Sequence, residues 1–208
     1  QDMETAAEEF RALLRSAVAL RLRSDRPVGL LLSGGLDSSS IAASLAALNA
    51  SGQSGGGGST PRVYTMALPG ESMDESHSAL ETARRLGMPC RLIEATRPDF
   101  ERLVPATLWH NDEPLPLLNR CVHWHMMEQI SAEGVIVILN GQGGDECTGG
   151  YFERLVGSTL AMALKDGGPR SFLTEWRRAR KLCGFSPAWL LGQFAKTFVG
   201  HRWVRSWR

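Results

Sequence analysis

The sequence predicts an α/β protein: a doubly wound parallel sheet with a helical C-terminal extension. Three observations predict it. Four short apolar runs, at residues 28–32, 63–68, 90–94 and 135–139, have the length and continuity of strands buried on both faces. Helical patterns separate them, which is the βαβ arrangement that builds a parallel sheet with helices on both sides. After Tyr151 no further strand pattern appears, and the chain turns helical and Trp-rich.

The elements follow in order. A first helix is expected over residues 5–23, where Phe10, Leu13, Leu14, Ala17, Val18 and Leu20 recur at helical spacing and Arg11, Arg15, Arg21 and Arg23 decorate the other side. Asp25-Arg26-Pro27 breaks it, and the first strand leads through Ser33-Gly34-Gly35 into a helix over residues 38–49. Residues 51–60, with glycine at every position from 55 to 58, read as a linker. Helices are expected over residues 73–87, 99–110 and 119–133, and residues 135–139 form the clearest strand. This divides the chain into a core at residues 1–150 and a helical remainder at 151–208.

With 208 residues, 43% apolar and 22% charged, the composition is that of a globular domain with a sizeable core. No run approaches the roughly 18 apolar residues that span a bilayer, and the acidic first ten residues lack a secretory pattern. A start at Gln1 suggests a piece of something longer. The net charge of +1 is unevenly spread: residues 1–150 hold 12 basic and 19 acidic side chains, residues 151–208 hold 11 and 3. No nucleic-acid-reading motif accompanies the basic part, so a helical surface facing an acidic body or a partner domain is the better reading. Cys90, Cys121, Cys147 and Cys183 lie far apart without zinc spacing, which fits reduced thiols and a cytoplasmic protein. His123 and His125, two apart on a helix, point to different sides and make no metal pair. Trp176, Trp189, Trp203 and Trp207 read as core residues of the helical part.

The chemistry sits at two strand ends, where parallel sheets bind ligands. Ser33-Gly34-Gly35-Leu36-Asp37-Ser38-Ser39 joins a buried strand to a helix start. Glycine permits positive φ and close backbone approach, and the free N–H groups and dipole of the helix start favour an anion. It is neither a Walker loop nor a dinucleotide fingerprint. Asp37 within a phosphate cradle calls for a bridging hard cation, Mg²⁺. The second end, Asn140-Gly141-Gln142-Gly143-Gly144-Asp145-Glu146-Cys147-Thr148-Gly149-Gly150, is glycine-dense at an entropic cost that close approach to a ligand explains.

These residues carry a resemblance. The SGGLDSS string looks like the pyrophosphate loop of the N-type ATP pyrophosphatases, whose fold is of the adenine nucleotide alpha hydrolase type. The surrounding stretches resemble the synthetase domain of glutamine-dependent asparagine synthetases: Arg21 to Gly29 before the loop, the acidic turn Leu68 to Ser76, the Asp112-Glu113-Pro114 turn after Trp109, and the glycine-rich segment ending in Tyr151. Together they span about residues 7–151. The resemblance implies that Ser33, Gly34, Gly35, Asp37, Ser38 and Ser39 hold the pyrophosphate end of ATP, and that Leu31, Met66, Asn140 and Gly141 frame the adenosine. It further implies Mg²⁺ on Asp37 and Asp145, and Asp112 and Glu146 on the acid-substrate side. Gln142 stands where several members carry Glu, a proposed proton acceptor, and a Gln cannot fill that role.

The implied reaction has two steps: a carboxylate, aspartate by this resemblance, attacks the α-phosphorus of ATP to give an acyl-adenylate and pyrophosphate, and ammonia then gives the amide, asparagine, and AMP. Expected partners are a small-molecule acid, ammonia, a glutaminase domain in a full-length parent and a second copy in a homodimer, but no nucleic acid and no membrane. The glutaminase domain and the family's catalytic Lys find no counterpart in residues 1–208; Lys165, Lys181 and Lys196 match no motif. The alternatives are a β-lactam synthetase or lasso-peptide cyclase type of intramolecular ligase, and a nucleotide-binding module without catalysis.

Overall fold

Helix α1 (Met3–Arg21) opens the chain because the Asp2 carboxylate accepts the Glu4 N–H at 2.6 Å, which starts the helix ahead of its apolar pattern. A computed structural model describes residues 2–52, 61–114 and 119–205, so most of the glycine-rich linker, residues 53–60, lies outside the described residues, as does Trp207. The chain forms two compact units, Gln1–Gln142 and Gly143–Arg208.

The first unit holds strands β1 (Val28–Leu31), β2 (Arg62–Ala67), β3 (Cys90–Glu94) and β4 (Val137–Leu139), with helices α2 (Leu36–Ala50), α3 (Ser76–Arg85), α4 (Arg97–Asn111) and α5 (Asn119–Ala132) between them. All pairings are parallel and the strand order is β3-β2-β1-β4. The sheet grows outward from β1 through β2 to β3, then returns to place β4 on the other side of β1. One face packs Leu30, Leu32 and Val63 against Val18 of α1, Leu45 of α2 and Ala83 of α3. The opposite face packs Tyr64 and Ile93 against Ile130 and Met126 of α5. Reversing direction across the sheet while changing face is what a constant crossover hand requires. The α/β fold predicted from the sequence is the fold observed.

Gly29 shows why β1 can be the central strand. A Cβ there would come within 2.8 Å of Ile138 Cδ1, 3.1 Å of the Tyr64 ring and 3.1 Å of Val135, so its neighbours already fill the space.

Most boundaries shift by one or two residues from the sequence reading, and three of the shifts have a visible cause. Helix α3 begins at Ser76 instead of residue 73, because Glu71 N–H bonds Leu68 O and Asp74 N–H bonds Glu71 O in successive turns. Helix α4 begins at Arg97 instead of residue 99, because Thr96 and Asp99 form a reciprocal capping box with Pro98 in the first turn. Strand β4 is shorter than residues 135–139: Val135 is buried in the core without joining the ladder, and Ile136 is exposed.

The second unit contains a one-turn helix α6 (Gly144–Thr148), a long α7 (Phe152–Cys183) and α8 (Pro187–Arg205). Gly168, at φ 67° and ψ −165°, breaks α7 just before Pro169. Val156, Leu160, Ala179 and Leu190 form a core, with Trp176 and Trp189 packed against it as the sequence suggested. Trp189 stacks on Phe185 at 4.1 Å between ring centres.

Candidate functional site

In a sheet of this order the chain leaves β1 in one direction toward β2 and passes it in the other toward β4. The crevice between the carboxyl ends of β1 and β4 is therefore the topological switch point, where parallel sheets take ligands. The sequence places Ser33–Ser39 at one side of that crevice and Asn140–Gln142 at the other.

The β1 loop is built by close backbone approach. Gly34 sits at φ +82°, and a Cβ there would lie 2.8 Å from Ala79 N and 2.8 Å from Ser78 Cβ, in the first turn of α3. Gly141 presses on the other side: its Cβ would lie 2.9 Å from Ser38 N and 3.0 Å from Asp37 Cβ, in the first turn of α2. Both glycines are thus required by space, and Gly34 by conformation as well. The proximity of Ser78 and Ala79 escaped the sequence reading, since it follows from the β2–α3 crossover returning beside β1 and no local pattern marks it.

Hydrogen bonds hold the loop's shape. Ser33 N–H donates to Ser38 Oγ at 3.2 Å, and Ser38 Oγ donates to Gly35 O at 3.3 Å. The Ser33 and Ser38 hydroxyls are 3.0 Å apart, and Gly35 N–H reaches Ser33 Oγ. The buried Ser38 hydroxyl is therefore committed to stapling the loop. Two features stay open. Helix α2 starts on Gly35, which has no side chain to cap the first-turn N–H groups. Ser39 Oγ is buried without a hydrogen-bond partner among the described residues. An anion with several acceptor oxygens fits both features.

Leu31, Met66 and Ile138 all pack against the buried cluster of Tyr64, Ile93, Ile130 and Val135 on one sheet face. Asn140 accepts the Gln142 N–H on its own side-chain oxygen at 3.1 Å, which turns the chain out of β4. In the second unit, Asp145 lies in α6, and its carbonyl accepts the N–H groups of Gly149 and Gly150. Glu146 accepts the Tyr151 hydroxyl at 3.0 Å. Gly143 and Gly149, at φ +90° and +81°, bracket this one-turn helix. Asp112 caps α4 at φ 54°, the one non-glycine residue in the left-handed region among the described residues. No hydrogen bond joins it to the β1 loop among the described residues.

The acidic turn before α3 has a structural task. Asp74 Oδ1 accepts the Ser76 N–H at 2.9 Å, and bonds from the Ser76 side chain and backbone hold its carboxyl below the ordinary range. Among the described residues no three His, Cys, Asp or Glu side chains gather into a metal cage. Mg²⁺ needs no such cage, since it is held through one or two carboxylates plus phosphate oxygens.

The asparagine synthase family matches residues 9–200. The chain belongs to the asparagine synthase family. Among its relatives, the amidase chyE of Penicillium rubens is 34% identical over 154 residues, 71% of this chain and 23% of that protein. A putative glutamine-hydrolysing asparagine synthetase of Mycobacterium tuberculosis is 31% identical over 148 residues, 69% of this chain and 21% of its own length. Asparagine synthetase B of Escherichia coli is 30% identical over 156 residues, 73% of this chain and 28% of its own length. The match thus spans about a quarter of the length of these asparagine synthase relatives. Among the described residues no helix is long and apolar enough to cross a membrane.

Proposed function

We propose that the chain is the nucleotide-binding part of an ATP-dependent amide-forming ligase, in which a substrate carboxylate is adenylated and the activated carbonyl is then captured by ammonia. The observation that carries this reading is the β1 loop at the switch point: Gly34 with no room for a Cβ, Gly141 pressed against the start of α2 from the β4 side, an uncapped helix start and a buried hydroxyl without a hydrogen-bond partner among the described residues.

In this reading the N–H groups at the start of α2, with Ser33 and Ser39, receive the oxygens of the departing pyrophosphate. Preorganised donors aimed at developing charge lower the barrier most effectively there. Gly34 and Gly35 let the backbone approach, Ser38 keeps the loop rigid, and Leu31, Met66, Asn140 and Gly141 flank the adenosine. Asp37 and Asp145 would hold Mg²⁺, which supplies charge neutralisation on the leaving group when bound. Glu146 and Asp112 are assigned to the acid substrate, and Gln142 to positioning instead of proton transfer. Residues 1–150 form the ATP-pyrophosphatase-like core, and residues 151–208 begin the helical remainder. A glutaminase domain in a full-length parent would supply the ammonia.

The first acid to test is aspartate. The relatives named amidases, chyE and the chry2 protein of Gibberella zeae at 35% identity, favour a second reading in which the acid is something other than aspartate. Pyrophosphate and AMP release by the full-length parent, measured with aspartate and with larger carboxylic acids, decides between the two. No release with any acid removes the ligase reading altogether.

A further inference from the structure

We infer that Gly150 is a positioning residue: the space left by its missing side chain sets the direction of the Asp145 carboxylate. This rests on the ligase reading above, in which Asp145 holds Mg²⁺, and adds what aims that carboxylate.

Helix α6 cannot aim its side chains by itself. It is five residues long, and the glycines that flank it, Gly143 and Gly149, have no side chains with which to cap it. Side-chain torsions choose among three staggered wells, and a helix disfavours one of them, so more than one direction stays open to Asp145. Asp145 is half-buried, yet its carboxylate has no hydrogen bond or ion pair among the described residues. Packing therefore decides where it points.

The packing partner is Gly150. A Cβ at that position would overlap Asp145 Oδ1 and would lie 2.5 Å from Asp145 Cγ and 3.0 Å from Asp145 Cβ. Its three nearest atoms thus all belong to one side chain.

The two neighbouring glycines meet different demands. Gly149, at φ +81°, makes the left-handed turn that ends α6, and its N–H bonds Asp145 O at 2.9 Å. Gly150 N–H reaches the same carbonyl at 3.1 Å, but its backbone is outside the left-handed region and open to any residue. What glycine contributes at position 150 is space, and one carboxylate fills it. Alanine there would drive Asp145 into another rotamer while the backbone stays in place, because the end of a side chain yields more readily than a main chain. Mg²⁺ demands near-ideal octahedral geometry, so a carboxylate of unchanged charge and altered direction holds it less well.

The experiment measures ATP binding to the full-length parent by calorimetry, once with Mg²⁺ and once with EDTA. Wild type is expected to bind ATP more tightly with Mg²⁺. Gly150→Ala should weaken binding in Mg²⁺ by about tenfold, the lower end of what loss of an orienting contact costs a metal site, and leave binding in EDTA unchanged. In the Asp145→Ala background, Gly150→Ala should cost nothing further, since the group it acts through is gone. If Gly150→Ala alone does not fold, the Asp145→Ala/Gly150→Ala variant should fold, because the obstructing carboxylate has been removed. A folded Gly150→Ala with the wild-type response to Mg²⁺ overturns the inference and leaves the ligase reading intact. So does an equal loss in Mg²⁺ and EDTA, a further loss in the Asp145→Ala background, or a double variant that still does not fold. A wild type whose ATP binding ignores Mg²⁺ removes the metal assignment itself, and this inference with it, before any variant is made.

Discussion

The two edges of the same sheet are built on opposite terms. At the amino edge, Arg62 and Arg91 both pair with Glu133, and the buried Tyr64 hydroxyl donates to the same carboxylate at 2.8 Å. Those residues, with Pro61, Pro89 and Cys90, line a cavity of about 370 Å³. At the carboxyl edge the space is tight, α2 lacks a side-chain cap, and Ser39 Oγ lacks a hydrogen-bond partner among the described residues. This hollow therefore has its polar groups answered internally, while the loop at the carboxyl end leaves donors waiting. Unfinished hydrogen bonding is what supports the carboxyl end as the proposed site, because a buried polar group without a partner is costly unless something else supplies one.

The strongest challenge to this contrast is Gly34→Ala. The added Cβ would meet backbone at 2.8 Å in a left-handed conformation, so the loop must shift. Pyrophosphate release by the full-length parent is expected to fall about 100-fold, the order that a displacement of about 1 Å costs a positioned site. A variant with full activity would separate the loop from the chemistry.

Glu133→Ala probes the other edge. It leaves a buried phenol and two guanidinium groups without their acceptor, so urea unfolding should show a loss of about 1–3 kcal/mol. ATP affinity, by calorimetry, should stay within twofold; a large change would mean that the edges are not independent.

Ser39→Ala sharpens the comparison with a smaller effect of divided sign. The free protein should keep its stability or gain up to about 1 kcal/mol, since a buried hydroxyl without a partner is removed. ATP affinity should fall several-fold, about 1 kcal/mol for one lost hydrogen bond. Equal loss of stability and affinity would make Ser39 a structural residue.

The smallest effect lies away from both edges, on α3, whose first turn packs on Gly34. Hydrogen bonds from Arg84 and then Arg85 hold the Glu81 carboxyl down at about 2. A depressed carboxylate adds stability above its unfolded value near 4.5, and that contribution is lost as pH falls toward 2. Glu81→Gln should therefore flatten the slope of melting temperature between pH 5 and about pH 2 and leave the value near pH 2 unchanged.

The strands were legible because each is a short apolar run between polar breaks; residues 90–94 matched β3 residue for residue. The β1 loop was legible because its glycines and serines lie next to one another in the chain. Helix α6 was not, since the glycines around Asp145 and Glu146 mask a one-turn helix held by its own backbone bonding and by side-chain bonds from Thr148 and Tyr151. Nor could Ser78 be seen as a wall of the loop, for residues 34 and 78 meet only once β2 and its crossover have folded. The acidic turn at Asp74 was legible only as a motif, and the bond it accepts from Ser76 N–H shows a local structural duty at the start of α3. Local chemistry is written in adjacent letters, whereas contacts across a crossover are written in topology.

Gly29 carries a last implication, for divergence among homologues. Because Ile138 Cδ1 already occupies the spot where a side chain at position 29 would grow, room in the middle of the sheet is held jointly by two strands. A methyl gained at position 29 loses its closest clash when one is surrendered at 138, so alanine at the first position should travel with valine at the second, with Tyr64 and Val135 giving by a few tenths of an ångström. Drift in this protein's interior would then proceed by paired exchange across neighbouring strands, with the loop above carried along unchanged.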